Sequence, residues 1–144
     1  MGQILKLSEP AGTAFHAMAF LAGKEDQWRS VRRMSKALHA PEDRLAKVMQ
    51  LLHREHLVDS VMGPRGGYQL ARASGRISLL DIYEAVEGKL GSCDCLMGHS
   101  VCAGRRCLLG GFLEQSTQRF REYLARTKLS EFKGLFPGGL YRIP

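Results

Sequence analysis

Four cysteines fall within one window of fifteen residues, as Cys93-x-Cys95-x6-Cys102-x4-Cys107, in a chain of 144 residues. Thiolates are soft ligands that suit zinc, cuprous copper or iron–sulfur clusters. The paired C-x-x-C knuckles of a zinc site are absent. Wide, uneven spacings on a loop suit a multi-iron cluster better, because its irons present ligand positions several bonds apart and commonly take four thiolates. Arg105 and Arg106 beside Cys107 favour the thiolate form and offset the negative charge of a ligated cluster. A thiol–disulfide switch is a second reading of the same residues, and inert cysteines a third. In a reducing compartment the clustering favours metal or redox chemistry over structural disulfides. No catalytic pattern competes: there is no phosphate-binding glycine loop between strand and helix, no His-Glu metalloprotease helix and no nucleophile–base pair. The chain reads as a non-enzyme.

The elements around this segment follow from periodicity. Leu45, Val48, Met49 and Leu52 predict a helix over Pro41–His53, with Pro41 at the first helical position and Arg44, Lys47 and Gln50 on the opposite, solvent-facing side. Two β-prone runs follow, LVDSV and YQLA, joined by Met62-Gly63-Pro64-Arg65-Gly66-Gly67, which predicts a projecting hairpin. A basic-faced helix followed by a hairpin is the order of a winged helix-turn-helix, in which the helix enters the major groove of DNA and the wing tip reaches phosphate or the minor groove. An ordinary helix and hairpin in a small α+β domain would have the same pattern.

Upstream, Thr13–Leu21 predicts a short apolar core helix, with His16 a packed or partly exposed histidine rather than a ligand. Ser30 is a candidate N-cap for a helix through Leu38, with Val31, Met34 and Leu38 inward and Arg32, Arg33 and Lys36 outward near a phosphate backbone. The His39-Ala40 turn lacks the glycine often found there. Downstream, Ala73–Arg76 reads as a loop, and Ser78 with Asp81 opens a helix through Glu87 that Gly88 ends. A long amphipathic helix is predicted over Leu108–Arg126, with Gly110 and Gly111 weakening its first turn. Its Leu109, Phe112, Leu113, Phe120, Tyr123 and Leu124 form either a dimer seam or a face packed on the chain's own domain. Leu129–Leu135 is a last short turn, and a loose tail begins at Pro137.

The net charge of +7 and pI near 9.5 favour polyanionic partners. The excess is spread, +4 over residues 1–75 (11 Lys/Arg, 7 Asp/Glu) and +3 over residues 76–144 (10 against 7), so a solvated basic surface fits as well. No apolar run has membrane-spanning length and the start lacks a signal peptide's apolar centre, so a cytoplasmic location without membrane attachment is expected. The expected division is a DNA-binding unit at 1–76, a post-wing helix and linker at 77–92, the cysteine loop at 93–107, a dimerisation helix and turn at 108–136, and a tail at 137–144.

The stretch LVDSVMGPRGGYQLA, the helix from Ile77 to Gly88, and Cys107-Leu108 leading into the long helix resemble the winged-helix regulators that include the iron–sulfur cluster regulator, the nitric-oxide-sensitive nitrite repressor and the cysteine-metabolism repressor. The resemblance spans about Leu5 to Phe132. It implies a mainly α fold with a small hairpin wing. It also implies a homodimer on a palindromic operator, and a 2Fe–2S or 4Fe–4S cluster that controls DNA affinity, most simply in a repressor. Carried onto this chain, Arg44, Lys47 and Gln50 would meet the major groove, Arg65 and the amides of Gly66 and Gly67 would sit at the wing, and Ser30, Arg32, Arg33 and Lys36 would hold phosphate. The ligands would be Cys93, Cys95, Cys102 and Cys107.

Departures from the family matter. Its cluster loop usually has three cysteines; Cys102 and Cys107 match two of them, and either Cys93 or Cys95 matches the first. Gly12 stands where some relatives carry an acidic ligand, so the extra cysteine could complete the set, with Glu9 a substitute if the register shifts. Arg44 and Ala46 replace a tyrosine and a glutamate common in relatives, which predicts a different operator. Met62 replaces a basic residue often found before the wing. A rival reading is a winged-helix interaction or redox module without its own operator. A regulatory protein partner is also within the family's range.

Overall fold

The computed structural model of the chain describes residues 7–91, 97, 108–109 and 111–136. Helix α1, Glu9–Ala22, begins four residues before the expected Thr13. The Ser8 hydroxyl accepts from the Ala11 amide at 3.1 Å, and Pro10 sits in the first turn, so the start is set by a cap that precedes the apolar periodicity. Alanines at 11, 14, 17, 19 and 22 are buried along α1, and these small side chains let other helices approach it closely. Met18 and Leu21 of α1 are fully buried among them.

Helix α2, Val31–Leu38, starts at Ser30, whose hydroxyl accepts from the Arg33 amide at 3.2 Å. It ends at His39 with φ 51°, the left-handed conformation that glycine usually supplies. Histidine enters that region more readily than most residues, and Ser35 Oγ donating to the Ala40 carbonyl at 2.6 Å braces the turn. Helix α3, Glu42–Arg54, runs one residue later than expected, because Pro41 with ψ 135° is its cap and not its first residue. Leu45, Val48, Met49 and Leu52 are buried, as the periodicity required.

Strands β1, Val58–Val61, and β2, Gly67–Leu70, pair antiparallel in a register from Val58 opposite Leu70 to Val61 opposite Gly67. The outer edge of β2 is also paired. The Arg29 amide donates to the Tyr68 carbonyl at 2.9 Å, and the Tyr68 amide donates back at 2.8 Å. The wing is thereby fastened to the residue just before the α2 cap. The approach needs glycine at 67: φ is 141°, and a Cβ there would lie 2.2 Å from the Arg29 carbonyl oxygen. Arg29 itself is buried, its guanidinium carbon 5.5 Å from the centre of the Phe20 ring.

Ser74–Arg76, expected as a loop, forms a short 3-10 turn. Glu25 holds it in place, accepting from the Ser74 amide and hydroxyl and from the Lys133 ammonium at 2.8 Å. Burial pushes the Glu25 carboxyl up, but the bonds from Lys133 and Ser74 outweigh it and keep the group below the usual carboxylate range.

Helix α4, Leu79–Glu87, opens with the predicted capping box: Ser78 Oγ accepts from the Asp81 amide at 3.0 Å and Asp81 accepts from the Ser78 amide at 2.8 Å. Helix α5, Phe112–Arg126, starts only after Gly111, later than the expected Leu108, consistent with the helix-weakening glycines at 110 and 111. Phe120 of α5 meets Tyr83 of α4 edge-on at 5.4 Å, and Leu124 is buried. Leu129–Phe132 close the chain's return as a 3-10 turn, with the Leu129 amide on the Ile77 carbonyl at 2.9 Å. The expected architecture, mainly α with a two-stranded wing, is the observed one. No helix among the described residues is long and apolar enough to cross a membrane.

The Arg29 contact makes Gly67 far less replaceable than Gly63. Gly67→Ala should lower stability by about 2–3 kcal/mol in thermal or denaturant unfolding, the range for strained backbone plus overpacking. Gly63→Ala, with φ 109° but nothing within 4 Å of its Cβ, should cost only about 1 kcal/mol. Equal losses would show that the Arg29 contact does not constrain the wing.

Candidate nucleic-acid interface

At about 100° of rotation per residue, the side of α3 opposite its buried stripe carries Asp43, Lys47, Gln50 and Arg54, all exposed. Lys47 and Gln50 stand where the sequence put them. Arg44 does not. It lies one turn before buried Val48, at the border of the core face, with a side chain 38% exposed and ion-paired to Glu9 of α1. The sequence reading grouped Arg44 with Lys47 and Gln50 on the solvent-facing side and so missed the flank. Asp43 and Arg54, which the same turn arithmetic selects, were not among the expected contact residues.

On α2, Arg32, Arg33 and Lys36 are exposed. Ser30 is also exposed, but its hydroxyl oxygen already accepts the Arg33 amide. Arg29 adds a cation that the sequence reading did not single out. Burial, and then the Arg33 charge, lower its hold on a proton, against the pull of Asp26. Its Nε has no hydrogen-bond partner among the described residues.

At the wing, Arg65 is exposed. The Gly66 amide donates to the Gly63 carbonyl at 3.0 Å, so it closes the turn and is not open to a phosphate as expected. A Cβ at Gly66 would lie 2.1 Å from the Val61 carbonyl oxygen, which is why the tip needs glycine there. Gly67 opens β2 opposite Val61, and its backbone lies against the Arg29 carbonyl. Both glycines were read as offering wing amides to DNA, because sequence cannot separate a glycine that frees an amide from one that permits a close backbone approach.

Cys93, Cys95, Cys102 and Cys107 lie outside the described residues. Among the described residues no group of three or more His, Cys, Asp or Glu side chains could hold a metal ion. The approach to the cysteine segment is described. After α4 the Leu90 amide donates to Glu84 at 2.9 Å, and Arg121 of α5 donates to the Leu90 carbonyl. Glu9, the alternative acidic ligand, is engaged with Arg44. His16 is exposed and donates from Nδ1 to the Gly12 carbonyl at 2.7 Å.

The model of a family of iron-dependent transcriptional regulators, Rrf2, matches residues 7–133. The chain belongs to the Rrf2 family. It is 30% identical over 138 residues to a protein of Aquifex aeolicus that is named as a helix-turn-helix-type transcriptional regulator, covering 90% of this chain and 96% of that one. It is also 31% identical over 87 residues to the regulator IscR of Xenorhabdus nematophila, spanning 60% of this chain but only 53% of IscR. The fold matches that of CymR, the global cysteine regulator of Bacillus subtilis, with a TM-score of 0.78 at 22% identity, over 92% of this chain and 98% of CymR. The Rrf2 chain is thus a DNA-binding transcription regulator of winged-helix fold, and its relatives are regulators rather than enzymes.

The altered face of α3 can be tested on a duplex selected by the wild-type protein. Lys47→Ala and Gln50→Ala should each weaken binding about tenfold, within the range for lost base contacts. Arg44→Ala should change it less than about fivefold, the scale of a surface ion pair. Fluorescence anisotropy reads both, and an equal loss at Arg44 would return that residue to the base-reading face.

Proposed function

We propose that this Rrf2 protein is a dimeric repressor whose affinity for a palindromic operator is set by an iron–sulfur cluster on Cys93, Cys95, Cys102 and Cys107. The observation that carries the DNA half is the fastening of the wing to the start of α2, which makes helix and wing one reading unit. Lys47 and Gln50 read bases from α3. Arg32, Arg33, Lys36 and Arg65 meet phosphates, so binding weakens steeply with salt. Arg44 positions α3 through Glu9 rather than reading bases.

The donor set supports the cluster half: four soft thiolates in fifteen residues, between α4 and α5, suit iron–sulfur ligation better than zinc. When bound, the cluster supplies a group whose oxidation, reaction with nitric oxide or loss registers the signal. The chain's own part is to connect that segment to the dimer. Glu84 and Arg121 hold the backbone of Leu90 at the segment's start. Phe112 and Tyr123, 54% and 51% exposed and about three turns apart on one side of α5, offer the apolar face for a second copy. The signal shifts DNA affinity only if it favours one spacing of the two recognition helices over another.

Protein purified without oxygen should show visible charge-transfer bands with stoichiometric iron and acid-labile sulfide. Cys102→Ser and Cys107→Ser should abolish them, and comparing Cys93→Ser with Cys95→Ser assigns the remaining ligands. A colourless protein after reconstitution would overturn the cluster reading; a loss of two protons per chain under oxidant would then replace it with a disulfide switch.

A further inference from the structure

The methionines at 18, 34 and 49 are fully buried, whereas Met62 at the tip of the wing is 96% exposed. Beside it, Val61 is 47% exposed, and Pro64 and Arg65 also face solvent. The tip is not a loose loop. Gly63 takes φ 109°, the Gly66 amide closes on the Gly63 carbonyl at 3.0 Å, and no side chain fits at Gly66. An apolar side chain is therefore held away from the body by a fixed turn, on a hairpin whose strand β2 is fastened to Arg29 through Tyr68.

Resting on the DNA-binding reading above, we propose that Met62 is a specificity-determining wedge that enters the minor groove of the operator. The minor groove of B-DNA is about 6 Å wide, and a slender apolar side chain such as methionine fits it. Apolar wedges in minor grooves, methionine and proline among them, work by partly unstacking a base step. Arg65, three residues on at the same tip, supplies the cation that holds the hairpin against the phosphate rim. A wedge gains most at a pyrimidine–purine step, which unstacks easily, and it draws nothing from the negative potential of a narrow A-tract groove. The wing thus selects for deformability, at a position where a basic side chain would select for potential.

The test uses the full chain and a duplex selected by the wild-type protein from random sequence. Met62→Gln and Met62→Ala should bind that duplex about tenfold more weakly, the cost of one lost specific contact, while Met62→Leu stays within about twofold because the wedge remains apolar. Binding to a non-selected duplex, the salt slope and the melting temperature should be unchanged in all three. Arg65→Ala should instead lower the salt slope by about one and weaken binding to all duplexes. Wild-type affinity for Met62→Gln on the selected duplex overturns the wedge and leaves the regulator reading intact. An equal loss on selected and non-selected duplexes does the same. A wild-type protein that selects no sequence overturns the regulator reading itself, and the wedge with it.

Discussion

Two backbone hydrogen bonds between Arg29 and Tyr68 decide how this chain can meet a duplex. They fasten a two-stranded hairpin, marginal on its own, through a single bridge to the segment that leads into α2. Only glycine at 67 permits that approach, and Ser30 starts α2 at the very next residue after Arg29. The wing cannot swing without moving the helix-turn-helix. A buried Arg29 lying over Phe20 then ties both to α1, against which α2, α3 and α4 pack. A reading head built this way presents helix and wing at a fixed separation, which a regulator of fixed half-site geometry needs.

Much of this was legible in the residues. The stripe Leu45, Val48, Met49, Leu52 gave α3, Ser30 and the Ser78–Asp81 pair gave two helix starts, and LVDSV with YQLA gave the hairpin. What was not legible depends on tertiary neighbours. Arg44 looked free because Glu9 lies 35 positions away in sequence. Gly66 and Gly67 looked alike, yet one closes a turn and the other passes under a carbonyl. The Arg29–Tyr68 pairing joins residues with no shared pattern, and no periodicity announces it. Helix starts failed where a cap or a glycine, not the apolar stripe, set the boundary, as at Ser8 and Gly111.

Helix α5 divides its apolar residues between two tasks that sequence could only offer as alternatives. Phe120 and Leu124 pack on the chain's own α4 and its surroundings, whereas Phe112 and Tyr123 face outward. The same helix, through Arg121, holds Leu90 at the edge of the cysteine segment. One element therefore touches the start of the cysteine segment and carries the exposed apolar face proposed for a second copy. That economy is the physical basis for reading cluster chemistry and DNA geometry as coupled.

The coupling itself is the central claim, and it is tested by one comparison. Operator affinity would be measured on the same duplex, without oxygen, for cluster-loaded protein and for the same preparation after chelator has removed the iron. The account predicts a difference of about tenfold or more, the lower end of typical allosteric coupling, that disappears in Cys107→Ser. Equal affinity in the two states, with folded protein in both, would contradict it.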